Sequence, residues 1–408
     1  MTPVFCCGFE CGVTNSAHFA LAGASSFSAS TVRSGSRSLR LNPAAASTAA
    51  ATYSHITGAQ TRWVGRFYVR FTALPDADTQ IAVAGSVGTS SCAIRFKLSD
   101  SKIYAAIGST IGATGVAVTT GVWYRIDFDF NFTAGNDTSD VKVDGVSCGQ
   151  VSSETGAADA AAMRLALTSA VTADVFYEDF MLSLTGADYP LGAGYVNHFV
   201  PTADGTHNVA GTGDFQRTLT GTDILNATTT AFQLVDEVPL EATVTDWINM
   251  LAPVNATDYV ECIFGPAPGI QIPIIGPRAV EVIAGINQSG TGAGNMEIRL
   301  NDNGSMGTVY TATGVAGVAV ATGQQFKRAH FADPPSAAST WNAGSSGNGA
   351  FNNVRVRFGS PAALDVNPDQ YFGCIMIEAE FADQLDAAAF GRPAGQLGQQ
   401  QFSQLLAQ

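Results

Sequence analysis

The sequence predicts an all-β protein made of two tandem β-sandwiches followed by a short C-terminal tail. Period-2 alternation of apolar and polar residues recurs in short runs along most of the 408 residues. Gly, Asn, Asp, Ser and Thr bound those runs, with Gly alone at 43 residues. Helical periodicity sustained over about 10 residues is nearly absent. Short strands at regular spacing over about 150 residues indicate a sandwich or barrel rather than α/β units.

Taken in order, Ser38–Leu41 and Trp63–Phe71 alternate. Ala93–Leu98 reads as a strand, Asp100-Ser101 as its turn and Ile103–Ile107 as the returning strand. In Trp123–Phe130, Tyr124, Ile126, Phe128 and Phe130 share one face. Trp123, Arg125, Asp127 and Asp129 share the other, as in a sheet with one wet side. Val141–Gly145 ends in the hairpin pair Asp144-Gly145. Val175–Leu184 closes this series, and a turn-rich stretch, 185–194, follows. A second series runs through Tyr195–Val200, Tyr259–Phe264, Ala279–Ala284, Met296–Leu300, Val354–Phe358 and Tyr371–Phe381, with a tight turn at Asn301–Gly304. Both series end alike, on an aromatic-flanked strand that carries acids. The expected units are 1–190, 191–382 and a Gln-rich tail, 383–408. In that tail Phe402, Leu405 and Leu406 are spaced for one helical face. A lone short helix is marginal in water, so the tail reads as a frayed end or as a peptide for a neighbouring subunit.

Composition narrows the function. Charged residues are 13% and apolar residues 46%, and the net charge is -14. This much apolar content excludes a disordered chain. The acidic balance argues against nucleic acid and against bare anionic lipid as partners. Met1–Val13 lacks the basic region of a leader. The longest apolar stretch, Gly269–Ile286, is interrupted by Pro273, Pro277, Arg278 and Glu281, so no membrane insertion is expected. The expectation is synthesis in the cytoplasm. Seven scattered cysteines, an odd number, read as reduced, half-buried thiols. The group Cys6, Cys7 and Cys11 lacks the fourth ligand of a zinc site.

Catalytic motifs are missing: no GxSxG elbow, P-loop or HExxH occurs. The five histidines are scattered, and Gly290–Gly294 reads as a hairpin loop. No enzyme and no catalytic residue is expected, and no cofactor beyond a structural calcium. The candidate calcium ligands are Glu10, in the presumed first strand, and Asp179, in the presumed last strand of the first sandwich. The competing reading is edge charges that discourage strand-to-strand aggregation. Trp63, Trp123, Trp247 and Trp341 are candidates for stacking on sugar rings, against the commoner core role.

Several of these segments carry a family resemblance. Gly8–Gly12, followed by Val32–Leu41 with its Ser-Gly-Ser, resembles the opening of concanavalin A-like, laminin-G-type jelly rolls. Gly121–Asp127, Val141–Gly145 and Phe176–Phe180 are similar to later strands of that family, over about residues 1–190. The whole chain resembles tailed-phage virion proteins in which such a jelly roll precedes a second β module. The residues concerned are Pro201–Asn208, Phe351–Gly359, Asn367–Tyr371 and Met376–Glu380. The resemblance implies a virion structural protein of the minor tail, tail-tip or baseplate class. Its partners would be other virion subunits, a trimer or ring of its own copies, and host-surface glycans, and lysis would release it. Alternatives are a capsid decoration or head-fibre protein, and a carbohydrate-binding or glycan-hydrolysing protein.

Overall fold

The computed structural model describes residues 3–10, 12, 19–44, 47–53, 58–85, 91–133, 135–153, 159–208, 215–217, 231–236, 248–250, 258–266, 276–288, 293–302, 305–316, 325–336, 340–343, 349–359 and 370–382. Cys11, His18, His55, Trp247 and the tail 383–408 lie outside the described residues.

The first module contains β1 (Pro3–Cys7), β2 (Phe19–Gly23), β3 (Ser25–Ser28), β4 (Ser38–Leu41), β5 (Ser47–Tyr53), β6 (Arg62–Ala73), β7 (Thr79–Gly85), β8 (Ser91–Lys97) and β9 (Lys102–Ile107). It continues with β10 (Thr110–Ile111), β11 (Val116–Ala117), β12 (Trp123–Asn131), β13 (Asp137–Val143), β14 (Val146–Ser147), β15 (Val151–Ser153), β16 (Met163–Val171) and β17 (Asp174–Ser183). One sheet runs β14-β13-β12-β6-β17-β4-β3, with β1 on β17 and β15 on β13. The other runs β10-β9-β8-β7-β16-β5-β2, with β11 on β9. Both are antiparallel, and their inner faces enclose one core that includes Trp63, Phe67, Phe96, Phe128, Tyr177 and Phe180.

Each strand named from the sequence in this half is present. Strands β5 and β16 were hidden because Ala and Thr dilute the alternation. In β5 the inward residues are Ala49, Ala51 and Tyr53. The outer face of β12 is drier than expected. Asp129 keeps a partly exposed pair with Arg62, whereas Asp127 is fully buried, bonded to Arg125 at 2.9 Å and to Gly192 N at 3.1 Å. The linker between the modules covers it.

The second module contains β18 (Gly194–Asp204), β19 (Phe215–Arg217), β20 (Ile248–Met250), β21 (Tyr259–Pro266), β22 (Ala279–Gln288), β23 (Ala293–Asn301), β24 (Met306–Ala316), β25 (Gln325–Phe331), β26 (Arg355–Gly359) and β27 (Gln370–Ala382). They form one antiparallel sheet with the path β19-β20-β27-β18-β21-β26-β23-β24, and β22 joins β27 to β25. Strands β24 and β25 also approach each other, so the sheet folds over its own core of Phe199, Val282, Ile298, Phe351, Phe358 and Phe381. No helix among the described residues is long and apolar enough to cross a membrane.

Candidate functional site

Strand β17 pairs with β6 along one edge. Along the other it pairs with β4 through Val175–Tyr177 and with β1 through Phe180–Ser183. Glu178 and Asp179 lie in the gap between those two neighbours. They form a bulge: the register against β6 shifts between Glu178 and Met181, and Asp179 has φ of 50°. Strict alternation would send Asp179 into the core after Val175 and Tyr177. The extra residue instead returns Phe180 and Leu182 to the core and leaves both acids facing out.

Gly8–Glu10 and the loop after β3 fill the gap. Arg33 N and Ser34 N each donate to Glu178 Oε2 at 2.7 Å. Ser34 Oγ donates to Asp179 Oδ1 at 2.7 Å. The Arg33 guanidinium pairs with Asp179 and lies 3.5 Å from the centroid of the Tyr68 ring. Glu10 accepts from Ser36 N at 2.8 Å, Ser36 Oγ at 2.5 Å and Arg37 N at 3.2 Å. Gly35 is required twice over: its φ is 64°, and a Cβ would stand 1.9 Å from Glu10 Oε1. The Ser-Gly-Ser segment is thus the cradle of Glu10.

The second module meets this edge with the outer face of β25, β22, β27 and β18. Across those strands His330, Glu281, Glu378 and His198 stand in register as one row. Glu378 Oε1 accepts from Gly8 N and Glu10 N, each at 3.2 Å. Glu380 accepts from Arg66 at 2.8 Å and from Arg278 Nε at 2.7 Å. Arg66 also donates to Asp179 O at 3.3 Å, so one guanidinium ties β6, β17 and β27. Val196 N donates to Asp179 Oδ1 at 2.6 Å. Farther along, Glu281 pairs with Arg328 Nε at 2.8 Å and with His330 Nδ1 at 2.7 Å. The other His330 nitrogen lies 2.8 Å from Pro3 O. Arg328 sits 4.5 Å from the centroid of the Phe5 ring.

Glu10, Glu178, Asp179, Glu378, Glu380 and Arg66 are fully buried. Burial, opposed by the Ser36 bonds, holds the Glu10 carboxyl up at about 7. Burial and the neighbouring Glu10 charge push Glu378 up to about 8. Burial and Asp179 push Glu178 well up, and burial brings His198 down to about 4. For Glu281 burial acts upward, but Arg328 and His330 outweigh it and the carboxyl lies below its ordinary value.

Glu10 and Asp179 therefore do meet at one cluster, although Glu10 follows β1 rather than lying in it. Their oxygens accept from N–H and O–H donors, Arg33 already supplies a positive charge, and Glu10 Oε2 also lies 3.5 Å from His198 Nδ1. A hard cation wants oxygen ligands instead. This donor set does not fit calcium, and the two carboxylates belong to an internal polar lock rather than to a metal site. Cys6, Glu281 and His330 also bring one ligand atom each within 4.8 Å of one another. Arg328 and Pro3 O engage the glutamate and the histidine, which makes the group an ion-pair network. The described cysteines are fully buried rather than half-buried. Trp63 and Trp341 are core side chains and offer no face to a sugar, while Trp123 is half-buried at the start of β12.

A second buried acid organises the far side of the second module. Glu261 accepts from Arg357 Nε at 2.5 Å, Arg355 at 3.0 Å and Thr206 N at 3.2 Å, while His207 Nδ1 accepts from Glu261 N. Two segments that carried the family resemblance, Pro201–Asn208 and Phe351–Gly359, thus converge on one carboxylate. A third, Met376–Glu380, supplies Glu378 and Glu380 to the junction. Sequence reading brought Glu10 and Asp179 together but missed Glu378, Glu380 and the Glu261 cluster. The available signal was acids placed on otherwise apolar strands.

No protein-family model and no curated protein matches the chain. Among solved structures, it is similar to lectin II from Ulex europaeus, with 12% identity over 44% of this chain and 97% of that one, at a TM-score of 0.30. A lectin from Bauhinia forficata in complex with GalNAc gives 10% identity, 44% and 97% coverage, and a TM-score of 0.32. A Trypanosoma rangeli sialidase mutant displaying trans-sialidase activity gives 12% identity, a TM-score of 0.29, and coverage of 42% of this chain but 31% of that one. The fold described above rests on the chain's own strand pairing.

Proposed function

We propose that the chain is a non-enzymatic structural protein of a tailed-phage particle, a minor tail, tail-tip or baseplate component. It binds neighbouring virion subunits through the outer faces and loops of its two modules, and engages host-surface glycans. The observation that carries this reading is the sealed junction. Its acids are fully buried and bonded, and they join the two modules. The motifs behind the phage resemblance support it, because their residues build the junction and the Glu261 cluster. Low charge content supports it too, since a surface with little charge loses little hydration when neighbours cover it. Assembly as a trimer or ring follows the symmetry usual for such appendages.

Antibody labelling of intact particles under the electron microscope tests the proposal. Label at the tail end is expected. Label confined to the head favours the decoration or head-fibre reading. Particles whose peptide composition lacks the chain sink both. A glycan array on the purified protein checks the sugar partner, and cleavage of an arrayed glycan would favour the hydrolytic alternative.

A further inference from the structure

The junction carries a property beyond that structural role. We propose that Glu10 and His198 form a proton-dependent latch between the two modules, closed while one proton is held between them and released at alkaline pH.

The argument starts from geometry. Glu10 Oε2 lies 3.5 Å from His198 Nδ1. That ring nitrogen is buried and has no hydrogen-bond partner. With Glu10 ionised and the ring proton on Nε2, two lone pairs face each other in a site closed to water, which is unfavourable. With the proton on Glu10, the acid has an acceptor in front of it. The loop after β3 offers Glu10 only neutral donors among its bonds, from Ser36 and Arg37. The guanidinium groups of the junction are engaged elsewhere: Arg33 with Asp179, Arg66 and Arg278 with Glu380, and Arg328, together with His330, with Glu281. Titratable neighbours of Glu10 are Asp179 and Glu178 from β17 and Glu378 from β27, and the Cys7 thiol from β1 meets Glu378. Ionising Glu10 therefore adds a buried negative charge beside other carboxyls, across the surface where Gly8 N and Glu10 N bond to Glu378.

The sign follows from the shifts. Released from the fold, Glu10 and Glu378 lose their protons near 4.5, whereas in place they hold them to about 7 and about 8. Closure is fully favoured below the lower value and weakens as pH rises through the upper ones. His198, held neutral by burial, keeps one acceptor nitrogen throughout that window, and in its Nε2–H tautomer that nitrogen is the Nδ1 facing Glu10.

Cys6 reports the state of the latch, because it is buried between the modules with Val196 and Ala279. The experiment is peptide-resolved alkylation of Cys6 in the full chain, comparing the natural protein with Glu10→Gln, whose amide N–H replaces the titrating proton. Taking the ratio of the two cancels the thiol's own ionisation. The latch predicts equal rates at about pH 6 and at least about tenfold faster labelling of the natural protein at about pH 9. Equal rates at both pH values overturn it, and so does faster labelling of the variant at both. Should the variant fail to fold, small-angle scattering of the natural protein decides. The radius of gyration must grow between the same two pH values, and an unchanged radius overturns the latch.

Discussion

Arg66 and Glu380 are 314 residues apart in sequence, yet they bond at 2.8 Å with both side chains fully buried. Arg66 belongs to the central strands of the first module and Glu380 to the longest strand of the second. The pair is worth more as a constraint than as a source of stability, because desolvation of two charges offsets most of their attraction. Its loss on one side only is costly.

Glu380→Ala strands Arg66 as a buried cation without its carboxylate and removes the partner of Arg278. The expected loss is about 3–5 kcal/mol. Urea denaturation of the purified chain measures it. A loss below about 1 kcal/mol would mean that water enters the junction freely.

Acid should weaken the second module. Glu261 feels burial, which acts upward, but its bonds to Arg357 and Arg355 outweigh it and hold the carboxyl below its ordinary 4.5. Glu281 is held low in the same direction. A depressed carboxyl contributes stability above its unfolded value and loses it as pH falls through the folded one. Denaturation midpoints should therefore drop below about pH 4.5, and Glu261→Gln should flatten that acid limb while lowering stability at neutral pH. An unchanged acid limb in the variant refutes the assignment.

Gly35→Ala tests the cradle of Glu10. Left-handed backbone costs a residue with Cβ about 1–2 kcal/mol, and here the new atom also collides with Glu10 Oε1. Gly58, with φ of 88° and nothing within 4 Å of its Cβ position, supplies the control. Gly35→Ala should destabilise the protein by at least about 1 kcal/mol more than Gly58→Ala in thermal or urea unfolding. Equal losses would show that the cradle contributes nothing beyond backbone strain.

Much of the β architecture was legible because alternation is a local signal. Tyr124, Ile126, Phe128 and Phe130 read as one face, and three of them are core with Tyr124 packed against it. The Asp144-Gly145 turn was legible for the same reason: both residues have positive φ. Strand β5 was not, since Ala49 and Ala51 look the same on either face. The bulge at Asp179 was hidden as well. Val-Phe-Tyr-Glu-Asp-Phe continues an alternating run on paper, and only the pairing of β17 with β6 reveals the inserted residue.

The sequence by itself determined the clearly alternating strands, which of their faces are apolar and that both series end on an acid-bearing strand, because these depend on neighbours two residues away. Only the tertiary structure decided that the acids of β17 and β27 face one buried junction, that Glu10 lies against His198, and that the calcium ligands expected at Glu10 and Asp179 are instead bonded by Ser36 and Arg33. Those relations follow from register and docking between strands hundreds of residues apart. No local pattern records them, because a side chain's charge state depends on which partners and how much water the finished fold leaves around it.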